Sequence, residues 1–235
     1  MPHRFRYFLL LACFFLSGLC GLIYQIVWMR MLGLVFGNST YATATVLAAF
    51  MAGLAFGSLI GGRVADRRSD RVKLYGLLEI AIGIYCLVFP FLLQASMPLF
   101  AALYQSAEGT SVTLILVRAI VCSLLLLIPT GFMGATLPIL LRHFVHSDEG
   151  LGKTVGLVYA VNTFGAVAGC VLTGFILIPG LGQKATMSIA VVLNIAIGIV
   201  AILLLEESKA VEQEQDLSKD EEPEGEAEAI QFTRG

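Results

Sequence analysis

Apolar residues come in six long runs divided by short polar segments, and within each run they occupy every helix face rather than one stripe. A bilayer core of ~30 Å needs about 20 apolar residues in a helix. On that ruler the runs 7–29, 41–62, 72–94, 112–141, 154–178 and 185–205 predict an all-α polytopic membrane protein of six transmembrane helices. The fourth run is long and carries Pro129 and Pro138. It is expected to kink, tilt or break, because proline withholds a backbone donor that neighbouring helices must make good. The segment 95–110, with Met97, Pro98, Leu99, Phe100 and Tyr104, reads as a short interfacial stretch. Near the start, Leu10-Leu-Ala-Cys13 looks like a lipoprotein cleavage box. Only about five apolar residues precede it, too few for a signal-peptide core. The run continues to Met29, so it is read as a first transmembrane helix.

Cationic residues orient the helices. Arg4, Arg6, Arg63, Arg67, Arg68, Arg71, Lys73, Arg142 and Lys153 fall on one side, Arg30 and Lys184 on the other. Loops rich in Lys and Arg stay in the cytoplasm, so both termini are expected inside (N-in/C-in) in a cell inner membrane.

Composition changes the picture in two ways. With 57% hydrophobic and 14% charged residues, the main body of the chain is no soluble enzyme, nucleic-acid module or disordered protein. The net charge of −2 conceals a division: residues 1–205 hold 12 basic and 6 acidic side chains, residues 206–235 hold 3 and 11. Two parts follow, a six-helix transmembrane domain over 1–205 and an acidic tail over 206–235. The tail is too polar to offset its ordering entropy by burial. It is expected disordered in the cytoplasm, as a solvated spacer or a docking tail for a basic partner. Cys13, Cys20, Cys86, Cys122 and Cys170 all lie in apolar runs without a CxxC, which reads as buried free thiols. His143 and His146 are three apart and could share a metal, yet lack carboxylate or thiol company. Neither metal nor cofactor is expected.

Small residues mark close packing. Ala49, Gly53, Gly57 and Gly61 repeat every four residues on one face of the second helix, and Gly165 and Gly169 do the same in the fifth. Such stripes let two backbones approach, within the bundle or across a dimer seam.

Polar groups within the spans are the candidates for function, since lipid makes them expensive. Glu79 lies seven residues into the third run, ~10 Å deep at 1.5 Å per residue. Arg118 lies in the outer quarter of the fourth run. The two could pair, or Glu79 could be bonded near the basic cluster. Asn162 and Asn194 could bond across helices or meet a substrate. Tyr24 and Gln25 sit among apolar residues where an uncompensated amide is costly, and Trp28 and Arg30 read as outer-interface anchors.

Two resemblances follow. The loop Gly62-Arg-Val-Ala-Asp-Arg-Arg-Ser-Asp-Arg71 resembles the loop between helices 2 and 3 of major facilitator superfamily transporters, matched at Gly62, Asp66, Arg67 and Arg71. It departs at Ser69 and Asp70, where that family usually has Gly and Arg. By resemblance Asp66 would latch the cytoplasmic helix ends, against Arg142 or a helix terminus. The solvated basic loop remains the plainer alternative. Arg118 also stands roughly where many of those transporters carry an Arg in helix 4.

The second resemblance rests on four segments in order. They are Ser17-Gly-Leu-Cys-Gly-Leu-Ile-Tyr-Gln-Ile-Val-Trp-Met-Arg30, Phe50-Met-Ala-Gly-Leu-Ala-Phe-Gly-Ser58, Pro129-Thr-Gly-Phe-Met-Gly-Ala-Thr-Leu-Pro138 and Tyr159-Ala-Val-Asn-Thr-Phe-Gly-Ala-Val-Ala-Gly169. Together they resemble the N-terminal membrane domain of bacterial fused transporter/spermidine-synthase-like proteins. That implies six helices equivalent to one half of a facilitator-family transporter.

The aminopropyltransferase half of such proteins needs a strand–GxG–helix unit, and no segment here supplies one. The expectation is therefore a protein that is not an enzyme but a transporter-like half module; the resemblance to the fused proteins implies a small cationic or amphipathic solute such as a polyamine. The module would work in the bilayer as a homo-oligomer or with a partner membrane subunit. The alternative is a non-transporting anchor or regulatory module that recruits a cytoplasmic aminopropyltransferase-like enzyme. No nucleic-acid partner is expected.

Overall fold

A computed structural model describes residues 3–37, 40–106, 112–144 and 151–220 of the chain. All described elements are helical: α1 (His3–Phe36), α2 (Thr40–Arg67), α3 (Arg71–Ser106), α4 (Val112–Phe144), α5 (Leu151–Leu172), a π-helical turn (Thr173–Leu177) and α6 (Ile178–Asp220). Five stretches are long and apolar enough to cross a membrane, and the last of them, Leu151–Leu204, runs for 54 residues. The expected fifth and sixth runs thus form one stretch, whose helices meet at Gly182 in a positive-φ, extended-ψ backbone conformation, φ 79° and ψ 169°.

Inter-helix contacts give the directions. Asn162 lies against Phe14 and Gly169 against Leu19, so α5 runs parallel to α1. Past Gly182 the chain returns: Gln183 Nε2 donates to the Val27 carbonyl, and Arg6 donates to the carbonyl of Leu204. That leg of α6 is antiparallel to α1. Helix α3 is parallel to α1, with Tyr75 edge-on to Phe14 and Phe89 against Trp28.

Two glycine seams carry the close approaches. A Cβ on Gly53, Gly57 or Gly61 would collide with Thr130, Gly131 and Ala135 in turn, so the α2 stripe packs inside the bundle against α4. Gly165 and Gly169 press in the same way on the backbone of Phe15 and Leu19. The faces turned away from these seams are rich in large apolar side chains, Phe56, Phe91, Phe164 and Phe175 among them. That is the pattern of a bundle bathed in hydrocarbon.

Of the three outcomes expected of the fourth run, kink, tilt or break, the break does not occur. Helix α4 is continuous through Pro129 and Pro138, and α3 through Pro90 and Pro98. Pro129 cannot bond the carbonyl four residues back, that of Leu125, and the Tyr85 hydroxyl of α3 donates to it at 2.8 Å. Residues 95–106 extend α3 rather than forming a separate interfacial segment, with Phe100 buried; 107–110 lie outside the described residues. Helix α6 continues to Asp220. Eight of the fifteen residues 206–220 are Glu, Lys or Gln, which are strong helix formers. Residues 221–235 are outside the described residues.

Candidate functional site

The heart of the bundle is a seam on α3. Its buried residues Val72, Tyr75, Glu79, Ile82, Cys86, Phe89 and Leu93 recur at alternating steps of three and four, the spacing that keeps one helix face inward. Six of the seven have apolar or aromatic bodies. Glu79 is the exception, and it is 0% exposed.

Glycine sets its surroundings. Gly76 and Gly83 stand three before and four after Glu79, on the same face. A Cβ at Gly76 would lie 2.7 Å from the Gly198 carbonyl, and one at Gly83 3.3 Å from that of Val191. Helix α6 therefore approaches closely enough for Asn194 Nδ2 to donate to Glu79 Oε2 at 2.5 Å. From α1, Ser17 Oγ donates to Oε1 at 2.5 Å. Tyr75, one turn before Glu79, places its hydroxyl beside Ser17 and the carboxyl, short of a hydrogen bond. One carboxyl thus gathers polar groups from α1, α3 and α6. No cation pairs with it among the described residues.

Neither expectation for Glu79 holds. Arg118 lies over the Phe100 ring at 5.8 Å, and Phe100 is 21 residues from Glu79 along α3, roughly 31 Å at 1.5 Å per residue. The basic cluster stays at the helix ends. Asn162 belongs to another contact, donating to the Phe14 carbonyl at 3.1 Å between α5 and α1. Tyr24 is buried two turns beyond Ser17 and stacks on Trp28 at 5.7 Å, while Gln25 is half-buried beside it and outside the Glu79 cluster. Trp28 is 0% exposed, which corrects its reading as an interface anchor: Tyr24 and Phe89 hold it inside. Cys170 is exposed whereas the other four thiols are buried.

Ser17 and Tyr75 were not singled out from sequence, and Asn194 was not tied to Glu79. A usable signal existed in the spacing Gly76-x-x-Glu79-x-x-x-Gly83, a carboxyl framed by glycines on one face. Its complement is Asn194-x-x-x-Gly198.

A second polar site joins the ends of three helices. Asp66 Oδ1 and Arg142 Nη2 form an ion pair at 2.8 Å between α2 and α4. Arg71, at the start of α3, donates to the Ala65 carbonyl at 3.1 Å and to the Arg142 carbonyl at 2.8 Å. It thereby satisfies orphan carbonyls at two helix C-termini. Gly62 has open space around its Cα and Arg67 is exposed; neither joins these bonds. His146 lies outside the described residues.

No family model matches the chain, and no solved structure matches it significantly. Curated relatives do. A polyamine aminopropyltransferase of Mycobacterium tuberculosis (strain CDC 1551 / Oshkosh) is 24% identical over 201 residues, 83% of this chain and 36% of the relative. Polyamine aminopropyltransferase 1 of Streptomyces coelicolor is 24% identical over 200 residues, 84% of this chain and 34% of its own length. The chain spans about a third of the length of the curated relatives it matches. These matches overturn the expectation that the protein is not an enzyme. Relatives aligned over most of the chain carry an enzyme's name.

Proposed function

We propose that these helices are the membrane-embedded module of a polyamine aminopropyltransferase-type protein, and that they move a small cationic or amphipathic solute, in the first instance a polyamine. The relatives' names support the solute class. The observation that carries the transport reading is Glu79, a buried carboxyl at the junction of α1, α3 and α6. A carboxyl within a span is costly to keep and marks an ion or proton pathway. In this reading the chain crosses an inner membrane six times, the opposite directions of α5 and the following leg of α6 supplying the last two crossings. Both termini and the Asp66–Arg142 pair are cytoplasmic. The fold is one half of a facilitator-type transporter, completed by a second copy or a partner subunit.

The test is uptake of radiolabelled putrescine and spermidine by proteoliposomes holding the full chain. Saturable uptake is expected, lost in Glu79→Gln with the fold intact and partly kept in Glu79→Asp. Wild-type vesicles without flux under either imposed proton or sodium gradients would overturn the reading.

One feature favours the recruiting-anchor reading instead. Helix α6 continues 16 residues past Leu204, about 24 Å at 1.5 Å per residue, a projecting acidic rod suited to holding a cytoplasmic enzyme. Under that reading, removing residues 206–235 abolishes co-purification of an aminopropyltransferase-like protein and leaves flux unmeasurable throughout.

A further inference from the structure

Three helices bring oxygen atoms to one buried point. Glu79 offers two carboxylate oxygens, Ser17 its hydroxyl, Tyr75 its phenol and Asn194 its amide group, the nitrogen of which faces Oε2. Two of these atoms, the Tyr75 hydroxyl and Asn194 Oδ1, have no hydrogen-bond partner. Both residues are shielded, Tyr75 at 0% and Asn194 at 2% exposure. A buried polar atom left unpaired is expensive, and a carboxylate without a counter-charge more so. A single cation at this point would answer the charge of the carboxylate and the unpaired Tyr75 hydroxyl, and would draw the Asn194 oxygen in as a ligand once that amide is turned.

The donor set narrows the cation. One carboxylate among neutral oxygens balances one positive charge, whereas a divalent ion would leave an uncompensated charge in low dielectric. Oxygen-only ligands suit a hard ion. An organic amine does not fit against Glu79. The carboxyl is fully buried, and bonds of 2.5 Å on both oxygens leave no space for an alkyl chain. A proton on Glu79 would engage one acceptor, whereas an ion takes the Tyr75 hydroxyl and the turned Asn194 oxygen together. The close approach of α3 and α6 through Gly76, Gly83 and Gly198 favours the smaller common cation.

We propose that Glu79, Asn194, Ser17 and Tyr75 form a sodium site, with the Asn194 side chain turned so that its amide oxygen faces the ion. Amide orientation is free to change in this way, since the two ends of the group have the same shape. The inference deepens the transport reading by naming its coupling ion, and the polyamine then binds elsewhere than at Glu79. Only the ion's use rests on that reading; its binding does not.

Binding is tested on the full chain in detergent, without any transport. Thermal unfolding is followed in NaCl, KCl and choline chloride at equal ionic strength, beside equilibrium binding of radioactive sodium. A saturable rise in Tm with NaCl alone is expected, together with saturable sodium binding. Ser17→Ala should weaken sodium affinity at least tenfold, and Glu79→Gln should abolish it. Ser17→Ala changes one small half-buried group, so it keeps the test decisive should Glu79→Gln fail to fold. Equal Tm in the three salts would overturn the site, as would a response to pH or to spermidine with none to sodium. Sodium binding without amine flux would leave the site standing and remove the transport reading. Amine flux without sodium binding would do the reverse.

Discussion

Asp66 and Arg142 meet at 2.8 Å across the ends of α2 and α4, and Arg71 bonds the main-chain carbonyl of that same Arg142. The two interactions are unequal. The side chains of the ion pair are 57% and 53% exposed, and exposed pairs contribute about 0–1 kcal/mol. Arg71 instead caps two helix ends at once. Arg71→Ala should therefore cost more stability than Asp66→Asn, which should stay within about 1 kcal/mol. Unfolding of both variants in a denaturing detergent series checks the order, and a larger loss in Asp66→Asn would contradict it.

The α2–α4 seam gives a sharper contrast within one helix. A Cβ at Gly57 would run into the backbone of Gly131, which cannot swing aside as a side chain can. Gly62, five residues on, has nothing within 4 Å of the same position. Gly57→Ala is expected to destabilise by about 1–3 kcal/mol, the usual cost of overpacking. Gly62→Ala should be neutral or slightly stabilising, because alanine is the better helix former. Paired unfolding curves decide this, and equal behaviour of the two variants would contradict the seam.

These glycines were legible in sequence because a four-residue repeat is a property of one helix. Asp66 and Arg142 were anticipated through the resemblance of residues 62–71 to a transporter loop, not from the pattern of the runs. The partners of Glu79 were not. Ser17 is 62 residues away and Asn194 is 115, and which of them meet Glu79 depends on the rotation and axial stagger of α1 and α6. A run that is apolar on every face carries no stripe to set that rotation. Trp28 was misplaced for the same reason: depth along a helix can be counted, but which face points inward cannot. The continuous α4 was hidden because the Tyr85 hydroxyl that serves the carbonyl freed by Pro129 comes from another helix.

Trp28 is the sole tryptophan, so its placement can be read by fluorescence in the unmodified protein. Held between Tyr24 and Phe89 at 0% exposure, it should emit at short wavelength and resist quenching by acrylamide and by brominated lipid chains. A tryptophan at a lipid-facing position makes the control. Phe91 is 66% exposed, and Phe91→Trp in a Trp28→Phe background should be strongly quenched by brominated lipid. Strong lipid quenching of the native residue would return Trp28 to the outer interface.

The reversal between α5 and the descending leg of α6 depends on backbone conformation at one residue. Gly182 has φ 79°, and a Cβ there would meet nothing within 4 Å, so any penalty for adding one is conformational rather than steric against neighbours. For a residue with a side chain, this positive-φ, extended-ψ geometry costs roughly 1–3 kcal/mol. Gly180, two residues earlier, is equally open and has no positive φ. Gly182→Ala should lower stability by about that amount, while Gly180→Ala should raise it slightly by shrinking the freedom of the unfolded chain. Because Gln183 and Lys184 follow directly, Gly182→Ala should also loosen the bond from Gln183 to the Val27 carbonyl. Faster hydrogen exchange over 183–188 than in Gly180→Ala would show this. Matching exchange in the two variants would mean that the reversal is set by helix packing and not by Gly182.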